Sequence, residues 1–124
     1  MSEHITDIEA ELKAKEVEIY ATSVAYREES RDAAEKRAVY DIEYAKAMLN
    51  ITHTADQTGQ KMTVAEKEAL AVKAVSDELK ACRIAEALAD ATKRHLEALQ
   101  AILSSIQTRS RMIQTERSLT GRQV

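Results

Sequence analysis

The residues Thr63-Val64-Ala65-Glu66 lie between two long stretches that contain no proline and almost no glycine. This Thr-x-x-Glu pattern is a helix capping box. In a capping box, the threonine hydroxyl accepts a hydrogen bond from the amide of the third helical residue, and the glutamate side chain at that position bonds to the threonine amide. The four residues therefore predict that a helix begins in the middle of the chain. One long helical arm is expected on each side of this start signal.

Composition favours an all-α fold. Pro, Phe and Trp are absent and glycine occurs only at positions 59 and 121, whereas Ala, Glu, Lys, Arg, Leu and Gln dominate. These abundant residues lose least in a helix. The 124 residues are enough for one domain, whose core must consist of aliphatic and small side chains. We predict two long helices that form a helical hairpin, packed into a coiled-coil-like oligomeric bundle or ring.

The first helix is expected over about residues 6–51, because a second start box stands at Thr6-Asp7-Ile8-Glu9. Residues 52–62 lose the helical period and are expected to form the loop. The second helix is expected over about 63–118, followed by a short tail with Gly121 as a stop. The apolar stripe expected to be buried on the first helix comprises Ile5, Ile8, Leu12, Val17, Tyr20, Val24, Ala34, Ala38, Ile42, Ala45 and Leu49.

A polar run from Arg27 to Asp32 interrupts this stripe. Two interpretations stay open, a solvated turn of a continuous helix and a hinge.

The second helix carries a sustained heptad pattern of the kind found in coiled coils. Its a and d positions are Ala71, Val75, Cys82, Ala85, Ala89, Leu96, Leu99, Leu103, Ile106 and Ile113, with Glu78, Thr92 and Ser110 as polar exceptions. A second apolar face lies beside them, formed by Ile84, Leu88, Ala91, Ala98 and Ile102. One partner helix cannot cover both faces, so we expect a bundle completed by other copies or another protein.

The large side chains near the end of the second helix are the expected oligomer interface. They are Leu96, Leu99, Leu103, Ile106 and Ile113. The alternative is that this segment packs only on the first helix of the same chain.

The chain shows no catalytic constellation. It lacks the CxxC, HExxH, glycine-rich phosphate-loop and nucleophile-elbow motifs, and its single Cys82, expected to be a small buried residue, excludes an internal disulfide. We therefore expect no enzymatic activity, no cofactor and no metal site. No leader sequence or long apolar segment is apparent, which predicts a cytoplasmic protein without a membrane contact.

Charge is distributed unevenly along the chain, although the net charge is only −3. Residues 1–45 contain six Lys and Arg against twelve Asp and Glu, whereas residues 93–124 contain six against two. Guanidinium groups near the C-terminal end, among them Arg109 and Arg111, are suited to phosphate oxygens. The alternative is that these arginines only complement the helix dipole.

A second basic cluster includes tyrosines one helical turn apart, an arrangement that single-stranded nucleic acid uses for base stacking. Its members are Lys36, Arg37, Tyr40, Tyr44 and Lys46. The alternative for the two tyrosines is a place in the core.

The chain resembles the UvsY family of recombination mediators of T-even bacteriophages over roughly residues 34–121. Ala45-Lys46-Ala47-Met48-Leu49 is similar to the family's Leu-Lys-Ala-Arg-Leu, and Lys46 matches the family lysine implicated in single-stranded DNA binding. The segment 96–102 resembles the family's Ala-Leu-Asp-Ala-Ile stretch. The polar glycine-containing loop and the long second helix follow in the same order.

The resemblance implies a homo-oligomeric ring, with a heptamer as one candidate, that binds single-stranded DNA. It also implies that the protein helps to load a RecA-type recombinase onto DNA covered by single-strand-binding protein, in the cytoplasm of a phage-infected bacterium. The alternative function is a non-enzymatic helical scaffold, or a phage assembly or chaperone protein, that oligomerises through coiled-coil contacts.

Overall fold

The computed structural model describes residues 5–122. They form three helices, α1 (Ile5–Thr58), α2 (Val64–Ala74) and α3 (Ser76–Arg122). The prediction of an all-α fold is confirmed. None of these helices combines the length and the apolarity that a membrane crossing requires.

The chain divides into two compact units. The terminal unit comprises residues 1–26 and 91–124, and the central unit comprises residues 27–90. In the terminal unit, Glu11 contacts Arg109 and Glu18 contacts His95, so α1 and α3 run antiparallel. In the central unit, Arg37 of α1 contacts Glu86 of α3. The predicted helical hairpin is confirmed, with α2 as a short connecting helix.

The start signal in the middle of the chain is confirmed. Thr63 has an extended backbone, with φ −73° and ψ 160°, and its hydroxyl accepts a hydrogen bond from the Glu66 amide at 3.1 Å. The first helix was expected from about residue 6, and among the described residues α1 begins at Ile5; Thr6 lies inside the helix and does not cap it. Gly121 does not stop the second arm, because α3 extends to Arg122.

The predicted loop over residues 52–62 is too long. Helix α1 continues to Thr58, and only residues 59–63 connect it to α2. Ala55 is buried, and its carbonyl accepts a hydrogen bond from the Gln60 amide at 3.0 Å. Gly59 provides the positive φ of 69° that ends the helix. Packing of Ala55 therefore keeps a polar sequence helical, which the weak local period did not reveal.

The second arm is not one continuous helix, because Val75 separates α2 from α3 with φ −112° and ψ 28°. Hydrogen bonds of helical spacing nevertheless pass through the break, from Val75 to Ala71 at 3.1 Å and from Leu79 to Val75 at 3.0 Å. In α1, by contrast, the polar run from Arg27 to Asp32 is continuously helical, so the helix does not break there. The division into two units falls between Tyr26 and Arg27, and the hinge interpretation stays a prediction.

The heptad pattern of the second arm describes its buried side. In the central unit, Ala71, Val75, Cys82, Ala85 and Ala89 are buried. In the terminal unit, Leu99 and Ile106 are buried, and the remaining a and d positions are half-buried.

The predicted buried stripe of α1 is largely wrong. Val17, Tyr20, Ala34, Ala38, Ile42, Ala45 and Leu49 are exposed. The side of α1 that is buried or half-buried also has heptad spacing, but every second position is polar, at Lys15, Thr22, Glu29, Lys36 and Glu43. The long stems of such residues cover apolar surface while their polar ends reach the edge of the helix pair. Selecting only apolar residues therefore chose the wrong face.

Candidate functional site

The cations of the predicted cluster on α1 lie beside carboxylates of the same helix. Lys36 Nζ is 2.8 Å from Asp32 Oδ2, and Lys46 Nζ is 3.3 Å from Glu43 Oε1. A phosphate that approached either lysine would have to compete with that carboxylate, which reduces the counterion release that drives nucleic-acid binding. The structure brings these two lysines to the central unit but does not leave them as unpaired charges.

Arg37 belongs to a cluster that bridges α1 and α3 in the central unit. Its guanidinium lies 3.5 Å from Glu86 Oε1 and 3.8 Å from Asp41 Oδ1, and its central carbon is 5.8 Å from the centre of the Tyr40 ring. A hydrogen bond with Cys82, followed by the charges of Glu86 and Asp41, raises the pKa of Arg37. These contacts give Arg37 a role in joining the two helices.

Cys82 is fully buried, as predicted, and its Sγ donates a hydrogen bond to Glu86 Oε1 at 3.0 Å. This hydrogen bond and burial raise the pKa of the Cys82 thiol above its ordinary value. The thiol therefore stays protonated at neutral pH, whereas nucleophilic cysteines need the thiolate.

Tyr40 and Tyr44 pack against each other, with ring centres 6.0 Å apart and ring planes inclined by 34°. Both side chains are half-buried and lie on the side of α1 that packs in the helical hairpin. Desolvation, the Glu68 charge and the neighbouring Tyr40 raise the pKa of Tyr44. Neither ring belongs to the buried core, and the half-buried position leaves less ring surface for base stacking than two exposed tyrosines would.

The basic end of α3 has a different environment. Arg109 is bonded to Glu11 of α1 at 3.0 Å, whereas Arg111 and Arg117 are exposed, with no carboxylate within 4.0 Å among the described residues. No acidic residue occurs between Glu97 and Glu116. Residues 98–115 of α3, which include Arg109 and Arg111, therefore contain no carboxylate of their own, whereas Arg117 directly follows Glu116.

The predicted oligomer interface lies largely inside the single chain. Leu99 and Ile106 are only 3% and 4% exposed, and Leu96, Leu103 and Ile113 are half-buried. The second apolar face of α3 stays accessible, with Ile84 60%, Leu88 54% and Ile102 44% exposed and with Ala91 and Ala98 also exposed. Apolar surface available for association is therefore found beside the predicted interface.

Sequence reasoning missed an exposed apolar surface on α1. Val39, Ile42 and Leu49 are more than half exposed, although Ile42 and Leu49 were assigned to the core. The seven-residue spacing of polar residues at 15, 22, 29, 36 and 43 is the signal that could have found the true buried side.

Comparisons with protein-family models, with curated proteins and with solved structures give no match to this chain. Within residues 5–122, no three His, Cys, Asp or Glu side chains are grouped so that they could hold a metal ion.

Proposed function

We propose that this protein is a non-enzymatic, homo-oligomeric recombination mediator that binds single-stranded DNA. In this role it promotes loading of a RecA-type recombinase onto DNA covered by single-strand-binding protein. The sequence resemblance supports the proposal, and the basic end of α3 supplies its physical basis.

The observation that carries the proposal is the exposed pair Arg111 and Arg117. Both lie on one helix without a carboxylate within ion-pair distance among residues 5–122. Exposed guanidinium groups bind phosphate oxygens in fork geometry and release counterions from the nucleic acid. In an oligomer, the number of such groups is multiplied by the number of chains, so modest binding by one chain becomes avid binding by the assembly.

The contacts of the α1 cluster refine where DNA is expected to bind. Lys36, Arg37 and Lys46 stay candidate DNA contacts from the resemblance, but each has an acidic neighbour within 4.0 Å. We therefore assign the stronger phosphate contacts to Arg111 and Arg117.

Fluorescence anisotropy with a labelled oligonucleotide tests this assignment. The double variant Arg111→Ala/Arg117→Ala should weaken binding and reduce the salt dependence by about one to two units of logarithmic slope, because two phosphate contacts are lost. Lys80→Ala is the matched control, since Lys80 is an exposed cation of the central unit. Absence of binding by the unaltered chain at low salt would exclude the proposal, and a larger loss for Lys46→Ala would move the site to α1.

The second candidate function is a helical scaffold or a phage assembly or chaperone protein. The exposed apolar side chains of α1 and α3 favour it, since contiguous apolar surface on a protein ordinarily marks an interaction site. A chain that associates with itself but leaves the oligonucleotide anisotropy unchanged would support this function over the mediator.

A further inference from the structure

An exposed stripe on α1 of the central unit carries a self-complementary pattern. Glu35, Val39, Ile42 and Lys46 follow each other at spacings of four, three and four residues, and all four side chains are exposed. This spacing places them on one side of the helix. Two apolar residues are thus flanked by an acid at one end and a base at the other.

An antiparallel second copy of this stripe would match every position. If the twofold axis passes midway between Val39 and Ile42, Val39 faces the partner's Ile42, and Glu35 faces the partner's Lys46. Each pair occurs twice, because in a twofold contact residue i meets j and j meets i. Opposite charges at both ends favour this register over a parallel one, which would place like charges together.

Helices α2 and α3 of the central unit carry a second exposed stripe that also matches its own copy. Leu70, Ala74, Ala81, Ile84 and Leu88 are exposed and follow three-and-four spacing along α2 and α3, with the exposed Asp77 as the one polar member between Ala74 and Ala81. A twofold axis level with residue 79 pairs Leu70 with the partner's Leu88 and Ala74 with the partner's Ile84.

The two positions of the twofold axis, one from each stripe, lie within about one helical turn of each other along the central unit. The Arg37 guanidinium lies 3.5 Å from Glu86 Oε1, which also accepts a hydrogen bond from Cys82 one turn earlier in α3, so Arg37 lies level with residues 82–86 of α3. Three to four residues further along α1, the centre of the Val39–Ile42 pair therefore lies level with about residues 79–82 of α3. One axis serves both stripes.

We propose that a second copy of this chain docks on the exposed apolar face of the central unit, formed by Val39, Ile42, Leu70, Ile84 and Leu88, and closes a four-helix layer. The proposal rests on the self-association included in the proposed function, and it specifies the surface. Such an isologous contact closes at two copies, whereas a cyclic ring is built from head-to-tail contacts.

Sedimentation equilibrium of the full chain tests the contact. Either single variant, Glu35→Lys or Lys46→Glu, places two like-charge pairs in the dimer. Each variant should therefore raise the dimer dissociation constant by about tenfold or more. The charge swap Glu35→Lys/Lys46→Glu restores opposite charges and should return the dissociation constant to within about threefold of the original chain. Arg83→Glu is the matched control, because Arg83 is exposed outside both stripes.

Circular dichroism of each variant verifies that its helices are intact. A monomer at micromolar concentration, a defined mass other than two chains or its multiples, or a swap that does not restore association would overturn the proposal. Oligonucleotide anisotropy measured on the original chain and on Glu35→Lys is a separate readout, since Glu35 is not among the candidate DNA contacts and Arg111 and Arg117 lie in the terminal unit. DNA binding by a chain that stays monomeric would refute this contact without refuting DNA binding.

Discussion

The terminal and central units use the same antiparallel helix pair but differ in how their charges are arranged. In the terminal unit, α1 is acidic and α3 is basic, and the ion pair Glu11–Arg109 joins the two helices at 3.0 Å. In the central unit, most ion pairs connect neighbours on one helix, as in Asp32–Lys36 and Glu43–Lys46. The net charges of the two helices are therefore opposite in the terminal unit, whereas local pairs predominate in the central unit; Lys15–Glu18 and Arg37–Glu86 are the exceptions in the two units.

The cores of the two units differ as well. Ile8, Leu99 and Ile106 are buried in the terminal unit, whereas the buried residues of the central unit are mostly alanines, at 33, 55, 71, 85 and 89. Small residues bury little apolar area each, and larger residues such as Ile42 and Ile84 stay exposed to solvent. The comparison indicates that the central unit gains more from a partner, while the terminal unit is better suited to electrostatic contacts.

The largest effect is expected from the substitution Leu99→Ala. It should lower the free energy of unfolding by about 2 to 5 kcal/mol, because truncation of a buried leucine leaves a cavity. Urea denaturation at low protein concentration measures this. Leu119→Ala is the control, since Leu119 lies on the same helix but is exposed, and it should change the stability by about 0.5 kcal/mol or less. Equal effects of the two changes would contradict the buried position of Leu99.

The next prediction concerns the start of α2 in the central unit. Thr63→Ala removes the hydroxyl that accepts the Glu66 amide and should cost about 0.5 to 2 kcal/mol of stability. Thr63→Ser keeps the acceptor and should cost much less. Denaturation of both variants compares them directly, and similar losses would mean that the cap hydrogen bond contributes nothing.

The all-α class, the hairpin, the Thr63 cap and the buried side of α3 were all predictable from the sequence. These features depend on local hydrogen bonds or on a regular heptad. The buried side of α1 was not predictable from its apolar residues, because Lys15, Glu29 and Lys36 occupy half-buried positions while Val17 and Ile42 are exposed. Packing against α3 of the same chain determines which side of α1 is buried.

The candidate site was predicted less well for the same reason. Lys36, Arg37 and Lys46 look like a basic cluster in sequence, but folding places Glu86 beside Arg37 and leaves each lysine beside a carboxylate one turn away. The environment of a charge depends on neighbours from other turns and from the opposite helix, and composition does not show these neighbours.

A smaller effect is expected from the buried thiol of the central unit. The pKa of Cys82 is raised in the folded chain, so the unfolded chain loses the proton first as pH increases. The protonated thiol therefore contributes its full stabilisation of the folded chain below the ordinary thiol pKa of about 8.5. This stabilisation is lost as pH rises through the pKa of the folded chain. Denaturation from pH 7 to 10 should therefore show a shallower decline for Cys82→Ala than for the original chain. Identical slopes would contradict the raised pKa.

The smallest effect should distinguish the ion pairs of the two units. A double-mutant cycle on Glu11 and Arg109 and a second cycle on Asp32 and Lys36 should each give a coupling of about 0.2 to 1 kcal/mol, because each of the four side chains keeps 41% to 51% of its surface in solvent. Only the Glu11–Arg109 pair joins different helices, so its loss should also increase hydrogen exchange in both helices of the terminal unit. Loss of the Asp32–Lys36 pair should affect α1 alone. Both couplings should decrease in high salt, since exposed charges are screened. If the pair between helices proved no different from the pair within α1 in hydrogen exchange, charge separation in the terminal unit would have no role in holding its helices together.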